Sequence, residues 1–170
     1  IRDVAVTGVQ TCALPIYELV FDGGSFALNS DGKVVMAMPQ FEVGLGIVDI
    51  DSAGQLEQGF IAPPQSVEAQ AYQALVLGVR DYVNKNHFPG VIIGLSGGVD
   101  SALVLAIAVD ALGADKVRAV MMASRYTADI SWMDARMLAR NLGVQYDEIP
   151  ISGPVDALEQ SLAGQFKGLK

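Results

Sequence analysis

From Val91 to Ile151 the chain alternates between short, continuous apolar runs and longer segments in which apolar residues return every three or four positions. The runs GVIIGL, KVRAVMMA and VQYDEIPI have the length and composition of buried strands. Between the first two, residues 101–112 predict a helix that Gly113 ends at its C′ position. Ser131, with Asp134 three residues on, predicts the start of another, which Gly143 ends. A last helix is expected near Pro154, taking in Val155, Leu158 and Leu162. The order β-α-β-α-β-α, with crossovers of a dozen or more residues, predicts an α/β fold. It would be a right-handed, doubly wound parallel sheet covered by helices.

Upstream the pattern is different. Ser66 predicts the cap of a helix over 67–86, with Val67, Ala71, Ala74, Leu75, Val79 and Tyr82 at helical spacing toward a core. His87 follows it and reads as a surface residue near the helix end. The two prolines of QGFIAPPQS can continue neither a helix nor a central strand, which marks a domain boundary. Before it, YELVFDGGSFALN and KVVMAMPQF read as strands joined at Ser30-Asp31-Gly32, and GLGIVDID as a further edge strand. Two or three strands are too few to bury a face alone, so this piece is a small subdomain or the end of a larger sheet.

Composition narrows the chemistry. The chain has 170 residues, 51% hydrophobic, and carries a formal net charge of -8. An acidic balance argues against a nucleic-acid partner but not against a local phosphate site, because backbone N–H groups bind phosphate without basic side chains. Cys12 is the only cysteine and His87 the only histidine, which excludes an internal disulfide and a multi-histidine metal centre. Asp100 and its glycine and serine neighbours make a membrane span at 91–112 costly, and no signal peptide is recognisable. A soluble, cytoplasmic protein is expected.

The least structure-forming residues, Ser-Gly-Gly-Val-Asp-Ser, fall between the first strand and its helix. Ligands of open α/β sheets collect at the carboxyl ends of strands. There Gly97 and Gly98 let the backbone turn and approach a ligand, and the N–H groups up to the first helical turn can converge on an anion. Ser96 and Ser101 add hydroxyl groups. Asp100 would repel a bare phosphate, a conflict that a magnesium ion bound to a polyphosphate resolves. A ligand-free turn capped by Asp100 or Ser101 explains only part of this composition. The lysine of Walker A and the Gly-x-Gly of the dinucleotide fingerprint are both missing.

GLSGGVDSA resembles the pyrophosphate-binding loop of the ATP pyrophosphatases, of the adenine nucleotide alpha hydrolase-like fold. The segment from ALVLGVRDYVNKNHFPG through MMASRYT and DARMLARNLG to VQYDEIPI resembles the synthetase domain of glutamine-dependent NAD synthetases. ELVFDGGSFALNSDGKVVMAMPQFE resembles the closing strands of the nitrilase-like α/β sandwich glutaminase domain that precedes it in that family. The implied organisation is residues 17–58 as the end of the glutaminase, 59–66 as linker and 67–170 as the first half of the ATP-binding domain. Residues 6–16 depart from the family and resemble a translated sequencing adapter, so that 1–16 are expected to be non-native and Cys12 is not taken for the glutaminase nucleophile.

What the resemblance implies is a ligase. ATP adenylates the nicotinate carboxylate of deamido-NAD, pyrophosphate leaves, and ammonia from glutamine converts the acyl-adenylate to NAD and AMP. ATP and magnesium are the implied cofactors, deamido-NAD and glutamine the implied substrates, and a homo-oligomer the implied state of the complete protein. The implied nucleotide site is Gly94, Leu95, Ser96, Gly97, Gly98, Val99, Asp100 and Ser101, with Asp100 on the metal and Met122 and Arg125 near the adenosine. Met122 also reads as strand core and Arg125 as a surface arginine. No catalytic nucleophile is expected within the chain, which is not expected to make NAD by itself. Another ATP pyrophosphatase, of the GMP synthetase or tRNA-thiolating type, and a non-catalytic ATP-binding module are the alternatives.

Overall fold

A computed structural model describes residues 19–167. The segment 1–16, with Cys12, lies outside the described residues.

The amino-terminal piece is a short antiparallel hairpin, β1 (Phe26–Leu28) with β2 (Val34–Ala37). Its turn closes where Gly32 takes a left-handed φ of 81° and donates its N–H to the Asn29 carbonyl at 2.9 Å. The expected edge strand over GLGIVDID does not form; only Ile50 bridges, to Leu56. The reason is packing. Gly46 lies over Met36 and Met38 so closely that an added Cβ would meet sulfur at 2.8 and 2.9 Å. With the glycines turned inward, Val43, Leu45 and Ile47 point outward and are exposed. Residues 59–62 instead run beside β2, with Gly59 donating to Val35, Ala37 to Phe60 and Ala62 to Ala37 at 2.8–2.9 Å. The first half of the expected linker is thus bonded to the sheet.

The rest is the expected parallel sheet, order β3-β4-β5, formed by β3 (Val91–Gly94), β4 (Val117–Ala123) and β5 (Gln145–Pro150). Helix α2 (Val99–Leu112) links the first pair of strands and α3 (Asp129–Leu142) the second, and α4 (Ser152–Leu162) follows β5. Strands added in sequence through right-handed crossovers place both connecting helices on one face. Accordingly β4 alternates: Val117, Ala119, Met121 and Ala123 are buried under the helices, while Arg118 and Met122 face the other way. Leu105 and Ala108 of α2 and Ala135 and Ala139 of α3 share one core with Ala119. The alanines at four of these positions let the helix backbones settle close to the sheet. On the opposite face Ile92 is 72% and Met122 55% exposed, so helices cover one face of the sheet among the described residues.

Helix α1 (Val67–Lys85) starts where the sequence predicts, with the Ser66 hydroxyl accepting from Ala69 N–H at 3.2 Å. Its buried face matches the predicted one only at Ala74 and Val79, which are half-buried. Val67, Ala71, Leu75 and Tyr82 are exposed, whereas Tyr72, Val76 and Val83 turn inward, Val83 being buried. This helix is apolar on more than one side, and its contact with α2 selects the side that is covered. Arg80 donates to the Ala111 and Asp110 carbonyls at 3.1 and 3.3 Å, supplying the end of α2 with the cation its own last turn lacks. The Tyr72 hydroxyl donates to Asp110 at 2.6 Å. No helix among the described residues is long and apolar enough to cross a membrane.

His87 has a structural part. Phe88 N–H donates to the Val83 carbonyl at 3.0 Å, and His87 sits at the left-handed position between them with φ 56°. Helix ends of this kind favour glycine, which carries no Cβ to strain the left-handed backbone. His87→Gly is expected to raise unfolding stability by about 0.5–1 kcal/mol, read as a higher denaturant midpoint at unchanged slope.

Candidate functional site

The loop Ser96–Gly98 joins β3 to α2 at the carboxyl edge of the sheet. Leu95, grouped with the loop on sequence, is core: it is 1% exposed and its N–H extends the ladder to the Val120 carbonyl at 2.9 Å. The chain then turns away from the sheet through Gly97, whose φ is 81°. Helix α2 begins at Val99, two residues before its expected start, and its N-cap is Gly98, which offers no side chain to the helix. Neither Asp100 nor Ser101 is the N-cap; both lie in the first turn.

That leaves donors without acceptors. The N–H groups of Gly97, Val99, Asp100 and Ser101 bond to no described residue. A helix start normally satisfies such groups with a capping side chain, water or a ligand. Here they surround the positive end of the α2 dipole, an arrangement suited to a phosphate. Asp100 is exposed in the same turn, and Val99 is exposed beside it. No cluster of three or more metal-ligating side chains exists among the described residues.

A contact that the sequence does not announce holds the loop. A Cβ placed on Gly97 would lie 2.3 Å from the Ser131 carbonyl oxygen and 2.7 Å from its Cα. The loop therefore rests backbone to backbone on the first turn of α3. Ser131 is not the predicted helix cap. Helix α3 starts two residues earlier, at Asp129, with Ala128 at the cap and no side-chain capping bond. The turn before it is instead closed by Thr127, whose hydroxyl accepts from Ser124 N–H at 3.1 Å.

Of the other expected site residues, Gly94 and Met122 lie together on the uncovered face, 3.6 Å apart between an added Cβ and the Met122 methyl. Met121 points into the core. Arg125 is engaged elsewhere. Its guanidinium donates to Asp156 at 2.9 Å and to both oxygens of Glu159 at 2.8 and 2.9 Å, and lies 5.2 Å over the Tyr126 ring. Tyr126 first, then Glu159, hold this arginine above its usual range. The structure thus brings Gly94, Met122 and the loop to one edge of the sheet, and ties Arg125 to α4.

The model of the NAD synthase family matches residues 71–169, more than half of the chain. The chain belongs to the NAD synthase family. A glutamine-dependent NAD(+) synthetase of Rhodobacter capsulatus is 46% identical over 180 residues, covering 98% of this chain and 32% of that protein. The solved glutamine-dependent NAD+ synthetase of Acinetobacter baumannii, in complex with adenosine diphosphate, matches with a TM-score of 0.85 and 44% identity over 88% of this chain and 29% of that one. The NH3-dependent NAD synthetase of Campylobacter jejuni, in complex with nitrate, matches with a TM-score of 0.53 and 28% identity over 57% of this chain and 42% of that one. The chain spans about a third of the length of its glutamine-dependent relatives.

Gly97 offers a direct test of the loop's geometry. Gly97→Ala must force a left-handed backbone on alanine, costing about 1–3 kcal/mol, and push α3 away from the loop. The expected result is a lower melting temperature together with loss of nucleotide binding by calorimetry.

Proposed function

We propose that this chain forms the phosphate-binding part of an enzyme that makes NAD from deamido-NAD, ATP and ammonia drawn from glutamine. The observation that carries the reading is the set of N–H groups at the start of α2 that bond to no described residue, with the exposed Asp100 in the same turn. The kinship to NAD synthases and the adenosine diphosphate bound by the Acinetobacter relative support it. In this reading the amides of Gly97, Val99, Asp100 and Ser101 hold the polyphosphate, and the flat surface of Gly94 beside Met122 faces the adenosine. Residues 17–58 are the end of a nitrilase-like glutaminase domain, and 67–170 begin the ATP-binding domain. The complete protein is a cytoplasmic homo-oligomer.

The donor set fits magnesium if the phosphates contribute. Asp100 supplies one carboxylate, and magnesium accepts one or two of these with waters and phosphate oxygens completing its shell. When bound, the ion neutralises charge on the polyphosphate and on departing pyrophosphate. The chain's own groups bind and orient. A carboxylate oxygen of deamido-NAD attacks the α-phosphorus, the bond to the β-phosphate oxygen breaks, and ammonia then displaces AMP from the acyl carbon. Rigid placement of the phosphates by backbone donors lowers the barrier without a covalent protein intermediate.

Asp100→Ala should leave the circular dichroism spectrum and melting temperature unchanged and remove the magnesium-dependent part of ATP affinity, a loss of about 10–100-fold. Calorimetric titration with and without magnesium measures it. An affinity that still responds to magnesium as in the wild type refutes the assignment.

A further inference from the structure

The loop's two hydroxyls do not point outward as spare donors. Ser101 Oγ donates to the Gly98 carbonyl at 3.0 Å. It also accepts from Ser96 N–H at 3.2 Å and lies 3.0 Å from Ser96 Oγ. Ser96 Oγ in turn accepts from Gly98 N–H at 3.3 Å. A serine hydroxyl carries one proton and two acceptor sites. Ser101 spends its proton on Gly98, so Ser96 must donate to Ser101. Both protons are then consumed inside the loop, and Ser101 has both acceptor sites filled. The result is a closed clasp joining the first residue of the loop to the first turn of α2.

The loop is thereby braced twice. Outside, Gly97 rests on the Ser131 backbone, so the loop cannot move toward α3. Inside, Ser101 ties Ser96 N–H and the Gly98 carbonyl to one atom. The groups left over are the amides of Gly97, Val99, Asp100 and Ser101. We propose that Ser101 is a positioning residue. Its hydroxyl holds the loop in its binding shape before any nucleotide arrives, with the backbone N–H groups of Gly97, Val99, Asp100 and Ser101 left to meet the phosphate. Preorganised donors cost no ordering on binding, so the clasp shows as affinity although it touches no ligand. This inference rests on the nucleotide reading above for the identity of the ligand, not for the clasp itself.

The test compares the wild-type chain, Ser101→Ala and Ser101→Thr by amide hydrogen exchange without nucleotide and by calorimetry with magnesium ATP. In Ser101→Ala the Ser96 amide, deprived of its acceptor, should exchange at least about tenfold faster in nucleotide-free protein. Amides in the middle of α2 and β4 should be unchanged, which separates loosening of the loop from general destabilisation. Affinity for magnesium ATP should fall about tenfold, and threonine, which keeps the hydroxyl, should restore both readouts. Unchanged exchange at Ser96 in nucleotide-free Ser101→Ala would overturn the proposal, even if ATP affinity fell, since Ser101 would then act as a direct ligand. If Ser101→Ala does not fold, Ser96→Ala decides. It should speed exchange at Gly98, whose acceptor it removes, and spare Ser96; no change at Gly98 refutes the clasp. Failure of the wild type to bind ATP would count against the nucleotide reading alone, because the exchange comparison is made without ligand.

Discussion

The site depends on the contact between Gly97 and the backbone of Ser131. Any side chain at position 97 would occupy the space of the Ser131 carbonyl. Because α3 is fixed against β4 and β5 through Ala135 and Ala139, the loop inherits the rigidity of the whole sheet. A flexible loop would spend binding energy on being ordered. This one is held from two sides before a ligand is present, which is what a site working by placement needs.

The anion site proposed for this acidic chain rests on the same packing. Its attraction would come from the start of a helix and from N–H groups that bond to no described residue, which net charge does not register. Arg125, the arginine nearest the strand ends in sequence, is held by Asp156 and Glu159 of α4 instead. That helix has no buried residue, so these exposed ion pairs contribute little to stability but orient the strand-end turn relative to α4.

The amino-terminal piece follows another rule. Its hairpin is extended by residues 59–62 through backbone hydrogen bonds and covered by Gly44 and Gly46 over two methionines. Val20 reaches α1 at Gly78, where an added Cβ would be 3.2 Å from its methyl group. The two parts of the chain therefore touch through a valine on one side and a glycine on the other of the boundary that the prolines mark.

Strand and helix order, the Ser66 cap, the turn at Gly32 and the place of the Ser96–Ser101 loop were all legible in the sequence. Each depends on local chemistry: hydrophobic period, capping hydroxyls and left-handed glycines. The strand over GLGIVDID was misread because its apolar alternation looks the same whether glycine or valine faces inward, and only the methionines beneath decide that. For the same reason the sequence named only Ala74 and Val79 correctly on the covered side of α1, and it set Leu95 beside the loop without showing that its side chain is core. Tertiary structure alone decided that Gly97 must be glycine because of Ser131, 34 residues away, that Arg125 belongs to α4, and that the two loop serines bond each other. Those contacts join residues distant in sequence or select among equivalent hydroxyl partners, and a one-dimensional pattern carries no term for either.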